Sequence, residues 1–424
     1  MLRFLVILAI LSSCTSKKKI DLNESYDVFV KHKEESNNFL IDSKIRGEYY
    51  AESEHTNNHK FINKGNLHVN KNKLEKKYVN YHNTSSLNPF YIEPVIGNKK
   101  IFILNNQGIL TAINKNNIKK ILWQKNYSKY FTNFQKGNLI LSQEEHLYFN
   151  SPNGIIFAIN KNDGELIWKK RLSGSIRDSM HLNTKKLFCI TVHNTVYALD
   201  AHSGRIIWHN KFNNKRTSLY GSSKIVSNDK IIVAGFSTGS FAILNIKNGK
   251  ILWSDNINRN IIDSNEFSFN DIDATPIIDG KQLYIISTNG AFSSYNIMTG
   301  INNWQINISS QHSPWLAGDF IFILTTSNNL ISINKYNATI KWITNLKQEL
   351  GYFTKKMNNT HFSRPIFASN EIVITDSSGY LLFFNKENGK LTKRKRIPKK
   401  ILVAPTIADG TMYFINNQSV FYKY

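Results

Sequence analysis

The stretch NKNDGELIW, from Asn160 to Trp168, decides the fold because versions of it return along the chain. The other copies are DAHSGRIIW from Asp200, NIKNGKILW from Asn245, NIMTGINNW from Asn296, NKYNATIKW from Asn334, NKNNIKKILW from Asn114 and NKENGKLTK from Asn385. In chain order, the copies start 46, 40, 45, 51, 38 and 51 residues apart. A repeat of this length is typical of the blades of a β-propeller.

Each copy combines a reverse turn with the start of a strand. An Asn or Asp opens it, and most copies have a glycine near the centre, which suits a tight turn because glycine tolerates positive φ and Asx side chains bond to their own backbone. A run with β-branched or aromatic residues at alternate positions precedes the turn, as in GIIFAIN from Gly154, and predicts a strand. The tryptophan follows on the next strand, where an indole buries a large surface and can donate to a neighbouring backbone. We interpret it as a contact between adjacent blades, rather than as the core tryptophan of a β-sandwich.

Two copies are damaged. The copy from Asn114 has one extra residue and no glycine, and the copy from Asn385 has Lys393 where the tryptophan belongs. We predict that Lys393 marks a weaker blade boundary. We also predict that the six tryptophans occupy equivalent positions between blades: Trp123, Trp168, Trp208, Trp253, Trp304 and Trp342.

The repeat predicts an all-β fold, an eight-bladed β-propeller of four-stranded antiparallel blades over residues 61–424. Each unit follows the plan of Ile278 to Ile306, with four strands joined by short turns. The last unit, Ala404 to Tyr424, supplies three strands before the sequence ends. The missing outer strand is expected from the region Leu74 to His82, which would close the ring and remove its free edge.

The N-terminal residues predict export and anchoring. Residues 1–13 combine Arg3, an apolar run and two serines, which is typical of a signal peptide. The ending LSSC resembles a bacterial lipobox, so Cys14 is the predicted lipidation site, and several acyl chains would anchor the protein stably. Thr15, where inner-membrane lipoproteins commonly have Asp, resembles an outer-membrane address. Residues 14–60 are polar without a sustained period and are interpreted as a lipidated tether.

The chain of 424 residues has a formal net charge of +24, which raises the question of nucleic-acid binding. Most of the charge is lysine spread along every repeat, and no recognition motif accompanies it, so we expect no nucleic-acid partner. The densest basic runs are Lys17 to Lys19 and Lys390 to Lys400. A weaker alternative is that this charge attracts the protein to a nearby anionic membrane surface.

No motif predicts catalysis, a metal or a cofactor. GFSTG, Gly235 to Gly239, matches a nucleophile-elbow pattern, but the same place in other repeats reads as a blade turn. The histidines show no i, i+4 metalloprotease pairing. Cys189 lies in an apolar strand run and is expected to be a small buried hydrophobe.

The repeat resembles the PQQ-like propellers, and two stretches resemble the BamB family of outer-membrane assembly lipoproteins: Asn270 to Gly300 and Ser313 to Asn334. The second is most similar to the alphaproteobacterial form. The resemblance implies a non-catalytic scaffold without a cofactor at the periplasmic face of the outer membrane. Its implied partners are BamA, the rest of the assembly complex and unfolded outer-membrane proteins.

The resemblance also implies a site. In the family, BamA is bound by a Leu-Arg-Gly loop and by a D-x-D before a Thr-Pro. Here the loop reads Leu219, Tyr220 and Gly221, so an uncharged Tyr replaces an Arg that could bind carboxylates bidentately. The D-x-D is intact as Asp271 and Asp273, which would project from one side of an extended chain. An acidic pair on the rim of a basic protein would suit a basic partner loop, although an Asp there can also simply cap a turn.

Two other functions remain open. A quinoprotein dehydrogenase shares this type of repeat but needs calcium, a quinone and a catalytic Asp, and often has a vicinal disulfide that this sequence lacks. A generic partner-binding periplasmic propeller is the other alternative, because fold does not fix function.

Overall fold

The computed structural model describes residues 75–78, 93–105, 107–131, 139–141, 146–183, 185–212, 225–257, 271–351, 360–368, 370–397, 404–416 and 420–424. All of them lie in one compact unit, residues 44–424. They form eight four-stranded antiparallel sheets, which are the blades of an eight-bladed β-propeller. The predicted fold class is confirmed.

The blades are numbered in chain order. Blades 1 to 4 contain β2 (Val95–Ile96), β3 (Lys100–Leu104), β4 (Ile109–Asn114), β5 (Ile121–Asn126); β6 (Leu139–Leu141), β7 (His146–Asn150), β8 (Ile155–Asn160), β9 (Leu166–Arg171); β10 (Ile176–Asn183), β11 (Lys186–Thr191), β12 (Thr195–Asp200), β13 (Ile206–Lys211); and β14 (Ile225–Ser227), β15 (Ile231–Gly235), β16 (Ser240–Asn245), β17 (Ile251–Asn256).

Blades 5 to 8 contain β18 (Ile277–Asp279), β19 (Gln282–Ile286), β20 (Phe292–Asn296), β21 (Asn302–Ile306); β22 (Trp315–Ala317), β23 (Phe320–Leu324), β24 (Asn329–Asn334), β25 (Ile340–Asn345); β26 (Ile366–Ala368), β27 (Glu371–Thr375), β28 (Tyr380–Asn385), β29 (Leu391–Arg396); and β30 (Thr406–Ala408), β31 (Thr411–Ile415), β32 (Val420–Lys423) with β1 (Glu75–Tyr78). The short helical segments among the described residues are a 3-10 turn, Ser128–Tyr130, and α1, Leu346–Glu349.

The ring closes as the sequence predicted. β1 pairs with β32, with Glu75 opposite Lys423 and Tyr78 opposite Val420, and it supplies the outer strand that blade 8 lacks. At the inner edge, first strands of neighbouring blades contact one another, including β2 with β30 across the junction of blades 1 and 8. The first strand of each blade therefore lies at the centre of the ring and the fourth lies at the rim.

The middle strands are buried on both faces, which the expected alternation did not anticipate. In β8 five consecutive residues from Ile155 are buried, because each blade lies between two others and both faces of its sheet meet an apolar neighbour. The outer strands keep an alternating pattern, as in β9, where Trp168 is half-buried between exposed neighbours.

The six tryptophans are equivalent, as predicted. Each lies on a fourth strand, and its indole N–H donates to the carbonyl that follows the opening Asn or Asp of the next blade's turn. The pairs are Trp123 with Lys161 (3.3 Å), Trp168 with Ala201 (3.0 Å), Trp208 with Ile246 (3.3 Å), Trp253 with Ile297 (2.9 Å), Trp304 with Lys335 (3.1 Å) and Trp342 with Lys386 (2.9 Å).

The turn glycine serves both the turn and the tryptophan. Gly249 has φ +72°, and a Cβ added there would lie 2.6 Å from the ring of Trp208. In blade 6 the equivalent residue is Ala338, held at φ 59°, which shows that one copy of the turn accepts the strain of a left-handed alanine.

At the damaged copy, the large side chain has moved to the neighbouring strand. The residue opposite the tryptophan is small in blade 6, where Ser332 faces Trp342, but Phe383 faces Lys393 in blade 7. Phe383 is 4% exposed and packs in one apolar cluster with Met412 of blade 8. The boundary at Lys393 is therefore filled from β28 instead of β29.

Candidate partner-binding face

Strand alternation places two kinds of connection at the same end of the blades: the fourth-to-first connections and the turns between second and third strands. We call this end the loop face, and the opposite end, with the repeated Asn-Gly turns, the turn face. The segment Asp271 to Pro276 belongs to the loop face, since it runs into β18. Two backbone hydrogen bonds fix it: the Ile272 N–H donates to Phe236 O of blade 4 (3.2 Å), and the Thr288 N–H donates to Asp271 O (3.0 Å).

Ile272 wedges this segment between two blades. It is fully buried, and a Cβ added to Gly235 would lie 2.7 Å from its Cγ2. Gly235 thus allows a close approach of side chain to backbone. The GFSTG stretch, Gly235 to Gly239, is the turn between β15 and β16, where Gly239 N–H donates to Phe236 O (3.3 Å), and no helix follows it. It does not form a nucleophile elbow.

The structure buries both carboxylates of the D-x-D. Asp271 is 1% exposed and Asp273 is 9% exposed, so the expectation of an exposed acidic pair on the rim is corrected. The reason is local, because the buried Ile272 between them draws the segment into the junction of blades 4 and 5. Their assignment as partner-binding residues stays a prediction, and any role they have in binding starts from buried positions.

The second part of the predicted site, Leu219, Tyr220 and Gly221, lies outside the described residues, in the stretch 213–224 between β13 and β14. Its described flank contacts the D-x-D neighbourhood. The Phe212 N–H donates to Asn194 O (3.0 Å), and the ring of Phe212 packs against that of Phe236 at 4.5 Å. Phe236 is the residue whose carbonyl accepts from Ile272, so the connection between β13 and β14 begins near the D-x-D segment.

Sequence reasoning missed a set of residues that precede prolines at the inner strands. Arg364, before Pro365 of blade 7, donates from Nε and a terminal nitrogen to both oxygens of Glu93, before Pro94 of blade 1, at 3.1 and 2.9 Å. Its guanidinium also lies 6.0 Å from the ring of Trp315 of blade 6. A bidentate pair of this kind is directional, and it ties three blades together at the loop face. The sequence did contain a signal for these residues, because a polar residue followed by Pro recurs just before the first strand of several blades.

A smaller link of the same kind joins blades 5 and 6. Thr275, before Pro276, donates its N–H to the hydroxyl of Ser313 (2.9 Å), and that hydroxyl donates to Thr275 Oγ1 at 2.9 Å. Ser313 in turn precedes Pro314 and β22. The D-x-D segment is therefore fixed from both neighbouring blades, which makes it a preorganised part of the loop face.

The remaining sequence-based predictions concern metal binding, Cys189 and the N-terminal residues. No group of three or more His, Cys, Asp or Glu side chains suited to a metal occurs in the ranges that the structure describes. Cys189 is buried, and burial raises the pKa of its thiol, as expected for a packing residue. Residues 1–13, Cys14 and the tether lie outside the described residues. Within the described ranges, no helix has the length and apolar character that crossing a bilayer requires.

With this geometry in place, comparison with known proteins identifies the family. Residues 120–344, more than half of the chain, match the family model described as "Outer membrane protein assembly factor BamB". The chain belongs to the BamB family. The match includes the D-x-D and the stretch that contains Leu219 to Gly221, so both parts of the predicted site lie within the family region.

The individual relatives have low sequence identity to this chain but match it over most of its length. The outer membrane protein assembly factor BamB of Moranella endobia is 21% identical over 75% of this chain and 81% of its own length. An uncharacterized protein of Rickettsia prowazekii is 27% identical over 78% of this chain and 81% of that protein, which fits the alphaproteobacterial resemblance. The crystal structure of BamB from Moraxella catarrhalis has a TM-score of 0.67 at 18% identity, covering 78% of this chain and 95% of that one.

Proposed function

We propose that this protein is a non-catalytic lipoprotein scaffold of the β-barrel assembly machinery. It is anchored at the periplasmic face of the outer membrane through Cys14, binds BamA, and assists the folding and insertion of outer-membrane β-barrel proteins. BamA contacts the loop face at the connections before β14 and β18. Membership of the BamB family, over a region that contains both connections, is the observation that carries the proposal.

The geometry supports a preorganised binding surface. The Asp271 to Pro276 segment is fixed by backbone bonds to blades 4 and 5 and by the hydroxyl of Ser313 in blade 6. A partner that docks there meets a shape that does not need to be ordered on binding, which lowers the entropic cost of association. Both side chains are buried. We therefore infer that they favour BamA binding by fixing the backbone of the segment and by their local electrostatic potential, rather than by forming an exposed salt bridge.

BamA binding of neutral variants tests this site. Charge reversal to lysine is unsuitable, since a lysine at a 1% exposed position would destabilise the blade. Asp271→Asn with Asp273→Asn removes both charges and keeps the side-chain shape. We expect the purified full chain with this change to lose about 1 to 2 kcal/mol of BamA binding, measured by titration.

Asp376→Asn is the matched control. Asp376 is also fully buried at the loop face, in blade 7, where its carboxylate accepts the Tyr380 N–H at 2.9 Å. This variant should lose stability and keep BamA affinity. If the two variants lose affinity only in proportion to their loss of melting temperature, the D-x-D is a structural cap and the partner site is elsewhere.

Tyr220 offers a gain-of-function test of the other connection. Tyr220→Arg restores the residue implied by the family resemblance and should strengthen BamA binding, because a guanidinium can form bidentate bonds to carboxylates. Unchanged affinity would remove this loop from the site.

Anchoring is tested separately. Cys14→Ser should leave the protein in the soluble periplasmic fraction of cells without BamA, whereas retention in the membrane fraction would contradict the lipobox. No observation in the described residues favours the dehydrogenase alternative.

A further inference from the structure

The outer strand of blade 7 concentrates positive charge. β29 reads LTKRKR and contains Lys393, Arg394, Lys395 and Arg396 with no acidic residue. We call these four residues the basic strip. Three of them are exposed and Lys395 is half-buried. The strip includes Lys393, which stands where other copies of the repeat have a tryptophan. This strand therefore carries charged side chains in place of the tryptophan that packs against the next blade.

Aromatic rings contact three of the four cations of the strip. Arg394 lies 3.8 Å from the ring centre of Tyr380, and Lys395 lies 3.7 Å from that of Tyr424. Lys393 lies 5.3 Å from the ring centre of Phe383. Such contacts restrain long side chains, so the strip presents its charges with less conformational freedom left to lose on binding an anionic surface.

The strip adjoins the place where the N-terminal part of the chain joins the propeller. Tyr424, which contacts Lys395, directly follows β32, and β32 pairs with β1. The first residue of β1, Glu75, lies opposite Lys423. β1 is the first element of the chain that the structure describes, so the strip lies beside the place where the described part of the chain begins.

We propose that the basic strip docks on anionic phospholipid headgroups and so orients the propeller against the membrane. This rests on the membrane location in the proposed function, and it assigns the strip a role that BamA binding does not use. Charge complementarity selects the occupant: each Lys or Arg near an anionic bilayer strengthens binding roughly fivefold. The attraction acts only within about 8 Å at physiological salt, so it strengthens binding only when the strip faces the bilayer directly.

Vesicle binding by the chain without residues 1–14, which lacks both the apolar signal segment and the lipidated cysteine, tests the strip without help from an anchor. The test variant adds Lys393→Gln, Arg394→Gln and Arg396→Gln. The matched control adds Lys169→Gln, Lys170→Gln and Arg171→Gln, which removes the same charge from β9, the equivalent outer strand of blade 2. Binding is measured by co-sedimentation with phosphatidylcholine vesicles that contain or lack phosphatidylglycerol, and melting temperatures verify that each variant is folded.

We expect the parent chain to bind only the vesicles with phosphatidylglycerol, the test variant to bind them at least about tenfold more weakly, and the control to lose much less. Equal losses in the two variants would mean that net charge alone drives binding, and would overturn the proposal. So would displacement by inorganic phosphate at constant ionic strength, which indicates a site for free phosphate, or tighter binding of a single-stranded oligonucleotide. BamA titration of the same variants stays unchanged if the strip serves the membrane alone, so failure here is separable from failure of the proposed function.

Discussion

The boundary between blades 6 and 7 and the boundary between blades 7 and 8 solve the same packing problem differently. At the first, Trp342 on the outer strand is 7% exposed, donates to Lys386 O at 2.9 Å and lies over Gly389, opposite the small Ser332. At the second, the outer strand carries the exposed Lys393, and Phe383 on the third strand fills the space.

The difference shows that the repeat conserves a filled volume more strictly than a residue. Phe383, one strand further in, fills at the second boundary the space that Trp342 fills at the first. The exchange also leaves the outer strand without a packing role. This is the physical condition for a run of cations at the rim, since lysine and arginine are tolerated only where their charged ends reach water.

Truncation at the two equivalent positions should give the largest contrast. Trp342→Ala removes a buried indole, its hydrogen bond and its packing on Gly389, and we expect a loss of about 3 to 5 kcal/mol in the free energy of unfolding. Lys393→Ala, at the exposed equivalent, should change that free energy by less than about 0.5 kcal/mol. Chemical denaturation of both variants measures the difference. Similar losses would show that Lys393 contributes to packing after all.

The sequence predicted the parts of the molecule that repeat. The turn, the tryptophan and the closing strand recur or complete a pattern, so spacing alone located them. It could not predict Phe383 as the substitute for the missing tryptophan, because that exchange is between two strands and is read only from their register. Nor could it predict the pair of Arg364 and Glu93, which are 271 residues apart.

The sequence predicted where the candidate-site residues lie along the chain, but it did not predict whether their side chains are buried or exposed. Asp271 and Asp273 were found from their order before Thr-Pro, but their burial depends on Ile272 and on the absence of a Cβ at Gly235 in the preceding blade. Alternation along an extended strand places two carboxylates on one side without saying whether that side meets water. The non-repeating connections of the loop face therefore required the structure, whereas the turn face did not.

Restoring the tryptophan sharpens the comparison. Lys393→Trp alone should destabilise the chain by about 1 to 3 kcal/mol, because the indole competes with Phe383 for one space. Adding Phe383→Ser recreates the pairing of Ser332 with Trp342 in blade 6. We expect the double variant to be more stable than the sum of the single changes by roughly 0.5 to 3 kcal/mol in a double-mutant cycle. Additive effects would mean that the two side chains do not share the volume.

The smallest expected effect concerns an ion pair that reinforces one tryptophan boundary. Lys335 accepts the Trp304 indole N–H at its carbonyl, and its Nζ donates to Asp279 of blade 5 at 2.7 Å. At the same place in the turn, other blades have apolar residues such as Ile246 and Ile297. An ion pair to the preceding blade and an apolar side chain are therefore two alternatives at this position.

The pH dependence of stability separates these two ways. Burial lowers the pKa of Lys335, but the hydrogen bond and the charge of Asp279 more than offset this, so the pKa is raised above 10.5. A raised lysine pKa stabilises the fold fully below the unfolded value, and this contribution is lost as pH rises through the folded value. Lys335→Ile should cost about 1 kcal/mol at neutral pH, because Asp279 loses its partner. Lys335→Ile with Asp279→Asn should recover most of that loss and show a weaker fall in melting temperature from neutral to strongly alkaline pH than the parent. A double variant with the parent's alkaline profile would show that other groups set it, and that the pair adds nothing to the boundary which the indole of Trp304 already closes.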